Sequence, residues 1–159
     1  MAERKPILPQ GLTASPAFSP GVQVGELLFI SGQVSQDNRG NMVGVGDCEA
    51  QTRQVMSRIR TIAQAAGASM EDVVKITAFL TNVADYPAYN KVRSETFPHS
   101  PPASSTVIVV ALVRPEFLVE VEAVVHVPGR GEGTASLETI YGSTGSPQPF
   151  PLDGGRLGW

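Results

Sequence analysis

One cysteine and two histidines in 159 residues leave little room for sulfur or metal chemistry. Cys48 alone closes no internal disulfide, which suits a reducing compartment. With only His99 and His126 to join it, there is no ligand set for zinc, and no metal site is expected. Long apolar runs are lacking too. No window approaches the roughly 18 continuous apolar residues of a membrane helix, and MAERKPILPQGL has no apolar segment of the secretory type. These features predict a cytoplasmic protein that engages no membrane. Positive charge is also sparse: a formal net charge of −3 with no basic stripe gives no electrostatic pull toward nucleic acid.

What is present suits one folding unit, with 42% hydrophobic and 17% charged residues over a length typical of a single core. Residues 1–20 carry four prolines and read as an irregular N-terminal arm. Residues 21–128 alternate between strand and helix periods. Val22–Val24 and Leu27–Val34 are strands about a Gly25-Glu26 turn, and DNRGN is a second turn. Asp47 can cap a helix whose Val55, Ile59, Ile62 and Ala66 share one face, and Gly67 can end it. VVKITAFLTNV returns to period two, with Val74, Ile76, Ala78 and Leu80 on one side. A second helix runs from Asp85 to about Phe97, with Tyr89, Val92 and Phe97 as core contacts and Pro98 as its stop. STVIVVAL and FLVEVEAVVHV are two further strands, and the short VRPE link predicts an antiparallel hairpin between them.

This order predicts an α+β domain with helices on one face of a mixed sheet. The run Val107–Leu112 is apolar on both sides, so the second face is expected to be covered by self-association. Residues 129–159 form a Gly/Ser/Pro-rich C-terminal tail without amphipathic period. Its spaced apolar residues, Phe150 and Trp159 among them, predict partial packing against the assembly.

FISGQV, EAQTRQVMSRIRTIAQAAGASMEDVVKITAFLTNVADYPAYNKV, FPHSPPASSTV and VEVEAVV, in that order between about residues 16 and 127, resemble the Rid (reactive intermediate deaminase) superfamily, also called YjgF. The resemblance implies a chorismate-mutase-like fold: a six-stranded mixed sheet with two helices on one face, assembled as a barrel-forming homotrimer with clefts between subunits. It also implies hydrolysis of enamine or imine intermediates to a keto acid and ammonia, with no cofactor. Matched residue by residue, it implies that Ser31 and Gly32 of the Ser-Gly-Gln segment, Asn90 and Glu120 belong to the cleft. Three positions depart from the deaminase branch: Phe18 stands for a tyrosine, Thr106 for a cysteine, and Ser104 for an arginine that grips the substrate carboxylate. A serine hydroxyl does not reproduce a bidentate guanidinium clamp, so weak turnover of 2-aminoacrylate is expected.

Each candidate also has an ordinary structural reading. Glu120 can position water and shuttle its proton to a leaving amine, or be a solvated strand carboxylate. Ser31 and Gly32 can present a hydroxyl and an amide to a ligand, or the glycine serves close strand packing. Asn90 in mid-helix is a ligand contact or a surface amide. Phe18 and Tyr89 can wall an apolar cleft or simply pack. Ser104, Ser105 and Thr106 offer hydrogen bonds to a polar ligand. Arg114 is the first candidate to replace the lost guanidinium, ahead of Arg130 and Arg156. Two functions follow. One is a cofactor-independent hydrolase or deaminase of an imine, enamine or related conjugated small molecule, a 2-aminomuconate-type substrate included. The other is a non-catalytic metabolite-binding or scaffold protein of the same superfamily.

Overall fold

The structure is a computed structural model and describes residues 3–12 and 15–129. Its strands are β1 (Arg4–Ile7), β2 (Gly21–Val24), β3 (Leu27–Val34), β4 (Val73–Leu80), β5 (Ala103–Ile108) and β6 (Val119–His126); its helices are α1 (Cys48–Ala65) and α2 (Tyr86–Thr96). Asp47 caps α1 by accepting the Ala50 amide at 3.0 Å. Gly67, at φ +87°, turns the chain out of the helix in a conformation that other residues resist. Between these signals Val55, Ile59 and Ile62 are fully buried, each contributing about 2 kcal/mol of apolar burial. Replacing Asp47 with alanine is expected to cost about 1 kcal/mol and lower the melting temperature by about 3 °C in calorimetry, without altering the folded chain's chemistry.

The six strands form one sheet in the order β1-β2-β3-β6-β4-β5. All neighbours are antiparallel except β4 and β5, which run parallel across α2. Helix α1 packs against β3, β6 and α2, so both helices occupy one face. Leu28, Ile76, Leu80, Val119 and Val121 meet them there without solvent exposure. The opposite face is uncovered and partly apolar: Leu27, Phe29 and Val107 are 43%, 49% and 43% exposed.

Four expectations change. The N-terminal arm is not wholly irregular, because Arg4–Ile7 pairs with β2 as an edge strand, the position where a chain containing Pro6 is tolerated. No β5–β6 hairpin forms. Strand β6 is inserted between β3 and β4, and both of its edges are already paired. The buried amide of Gln51 guides the intervening loop, donating to the Gly44 and Glu116 carbonyls and accepting from the Leu118 amide. Strand β5 ends at Ile108, so the expected apolar strand reaching Leu112 is a strand only in its first two residues. In β4 a register shift between Val73 and Lys75 brings Val73 into the core, while Val74 is 46% exposed. The C-terminal tail, and its expected packing, lie outside the described residues.

Candidate functional site

Glu120 stands on the uncovered face of β6, flanked in register by Val34 of β3 and Phe79 of β4. Beside it β3 is irregular between Ile30 and Gln33. A Cβ built on Gly32 would lie 1.9 Å from Glu120 Oε1 and 2.8 Å from its Cδ, so the carboxyl occupies the space that a glycine leaves. Gln33, almost fully buried, braces the irregularity by donating to the Ser31 carbonyl at 2.8 Å and accepting from Arg58 Nε at 3.1 Å. The Ser31 hydroxyl donates to the Ser19 carbonyl at 2.7 Å, and its amide donates to that of Pro20. Those bonds tie down the segment bearing Phe18, which is 59% exposed and lines a cavity of about 330 Å³ with Gly32, Gln33 and Arg58. Half-burial, and then the like charge of Glu122, push the Glu120 carboxyl above the usual carboxylate range.

A second cluster lies where α2 meets β5. Asn90 and Arg93 are three residues apart and therefore share a helical face. Arg93 donates through Nη2 to Asn90 Oδ1 and through Nη1 to Ser104 Oγ at 3.1 Å. Its guanidinium sits 5.6 Å from the centre of the Tyr89 ring, a cation–π distance. Tyr89 is fully buried, and its hydroxyl is the one buried side-chain oxygen or nitrogen without a hydrogen bond among the described residues. Burial raises the phenol's pKa, opposed by the charge of Arg93 and the nearby Thr106 and Ser104 hydroxyls, none of which reaches bonding geometry. A cavity of about 370 Å³ opens here, lined by Arg93, Ser94, Phe97, three prolines and Ser104.

These clusters do not converge within one protomer. Glu120 is in register with Phe79 and Glu122 with Thr77, whereas Ser104 and Thr106 flank Ile76 and Ala78, both fully buried beneath the helices. Strand alternation therefore puts Glu120 on one face and Ser104 on the other. It also divides the expected hydroxyl trio, because Ser105 joins the uncovered face and accepts from Lys75 Nζ at 2.8 Å. Arg114 is engaged elsewhere, paired with Glu116 at 3.5 Å and lying over the Phe117 ring at 5.3 Å. Sequence reasoning missed Arg93, Arg58, Lys75 and the bracing role of Gln33. For Arg93 there was a usable signal, its spacing of three from Asn90 on a helix.

The family model described as Endoribonuclease L-PSP matches residues 9–127. The chain belongs to this family. Its place in the Rid superfamily is equally plain: it is similar to the Rid protein YyfA of Yersinia pestis at 31% identity, with TM-score 0.74, covering 79% of this chain and all of that one. RidA from an Antarctic Psychrobacter matches at 31% identity with TM-score 0.71, over 77% and 99% of the two chains. The 3-aminoacrylate deaminase RutC of Acinetobacter baylyi is 40% identical over 122 residues, 76% of this chain and 96% of RutC. At the level of the Rid superfamily, deaminase-like activity is thus supported. Among the described residues of this Rid-superfamily chain, no helix is long and apolar enough to cross a membrane, and no three His, Cys, Asp or Glu side chains group as metal ligands.

Proposed function

We propose that the chain is a cofactor-independent, deaminase-like hydrolase of imines or enamines, working in the cytoplasm from clefts between subunits of a homotrimer. Glu120 carries this reading: a half-buried carboxyl with a raised pKa, seated against Gly32, which itself lines a cavity. In the carboxylate form it removes a proton from water as the oxygen attacks the imine carbon. That proton passes to the nitrogen to give a carbinolamine; Glu120 then carries the hydroxyl proton to the amine as the C–N bond breaks and the carbonyl forms, so that imine plus water becomes carbonyl plus ammonia and the carboxylate is regenerated. An enamine enters through its imine tautomer. The relationship to a 3-aminoacrylate deaminase supports this chemistry. Conjugated substrates, a 2-aminomuconate-type compound included, suit the apolar side chains near the cleft.

Subunit contact supports the cleft for two reasons. The uncovered sheet face exposes Leu27, Phe29 and Val107, and Glu120 and Arg93 act on a common ligand only if different copies supply them. Light scattering should give a trimer, and a stable monomer at micromolar concentration would sink this arrangement. Turnover is tested by ammonia release from freshly generated 2-aminoacrylate and from a bulkier conjugated enamine. The alternative, a metabolite-binding or scaffold protein, draws on Ser104 in place of the strand arginine, and binding without any ammonia release would favour it. The ribonuclease named in the family description finds little support in a formal charge of −3.

A further inference from the structure

Arg93 differs from the ion-paired cations of the described residues. Arg53 pairs with Glu49 and Glu95, Lys91 with Glu49, and Arg114 with Glu116. No carboxylate pairs with Arg93 among the described residues; neutral partners, the Asn90 amide oxygen and the Ser104 hydroxyl, hold it over the Tyr89 ring. A guanidinium carries five N–H donors, and two are engaged here, leaving three. Its charge is uncompensated and its orientation already fixed, so little side-chain freedom is lost when an anion arrives. The cavity it lines is large enough for a small organic ligand, and Phe97 with Pro98, Pro101 and Pro102 gives the remainder an apolar wall. The buried, unbonded Tyr89 hydroxyl beneath the same group is an independent mark of unfinished polar contacts.

We propose that this cavity is an anion subsite whose cation is Arg93, delivered from α2, and that it selects ligands bearing a carboxylate. Ser104 holds the guanidinium in position and does not itself grip the anion. Two of the free N–H groups meet the two carboxylate oxygens as charge-assisted hydrogen bonds, a geometry a lysine ammonium does not copy. The proposal deepens the hydrolase reading and rests on it for the identity of the reacting group; anion recognition is separable from turnover. On this reading Arg93, and not Arg114, takes the place of the arginine absent from position 104.

The test is calorimetric titration of the full-length protein with pyruvate, the product of 2-aminoacrylate hydrolysis, with muconate, and with pyruvamide as the neutral counterpart. The wild type is expected to prefer pyruvate or muconate over pyruvamide by at least about tenfold. Arg93→Gln should erase that preference while changing pyruvamide affinity less than about twofold, and Arg93→Lys should retain only part of it. Should the glutamine variant melt before titration, the lysine variant decides, because unaltered carboxylate affinity there rules out the fork. Glu120→Gln should keep the preference whether or not the wild type releases ammonia, so loss of the hydrolase reading and loss of this one are told apart. A wild type indifferent to the carboxylate, or a glutamine variant as selective as the wild type, overturns the subsite.

Discussion

Glu120→Gln is expected to lower kcat for ammonia release by about 10²- to 10⁴-fold with little change in KM, because glutamine keeps the shape and loses the proton acceptor. The pH profile supplies a second signature. Burial and the neighbouring Glu122 charge raise the Glu120 pKa, so the acid limb of kcat/KM should lie above the ordinary glutamate value, and Glu122→Gln should move it toward lower pH. Stability should run the other way. A carboxyl whose folded-state pKa is raised contributes most below its unfolded pKa, and that contribution is lost as pH rises through the folded value. Above the folded-state value the ionised Glu120 is therefore a liability, and Glu120→Gln should melt higher there, a gain that closes as the pH falls toward the ordinary glutamate range. Unchanged turnover in this variant would remove Glu120 from the chemistry.

Gly32→Ala should have the next largest effect, and it separates positioning from folding. The new methyl would fall within 1.9 Å of Glu120 Oε1, but the obstacle is the far end of a flexible side chain, so the carboxyl swings aside while the backbone holds. The expected result is a melting temperature within about 3 °C of wild type alongside a fall in kcat of about 10²-fold, the usual penalty when a reacting group is displaced by about 1 Å. A further exchange of Glu120 in the Gly32→Ala background should cost little more, since its role is already lost. Normal turnover in Gly32→Ala would show that the carboxyl's seat over this glycine is unimportant.

Much of the fold was legible from periodicity. Asp47, the α1 face and Gly67 are local signals, and each is realised where the sequence puts it. The sheet order was not legible in the same way. A short link between two apolar segments suggests a hairpin, yet β6 takes a gap between β3 and β4, and the buried Gln51 directs the chain there through contacts 65 and 67 residues distant. The site divides similarly. Glu120 and Gly32 could be nominated from the Rid-like segments, but their contact depends on an irregularity in β3 that carries no distinctive spacing. Arg93 was not legible because the candidate cations, Arg114 foremost, all follow β5 in the chain, whereas the guanidinium that reaches Ser104 comes from the preceding helix.

That contact between Arg93 and Ser104 makes the charge of the pocket independent of the chain segment that carries it. Side chains from a strand and from the helix beside it can reach the same few cubic ångströms, so an arginine at either address can serve the same space. With a residue as small as serine on β5, the pocket stays open on the strand side while its positive charge arrives from α2.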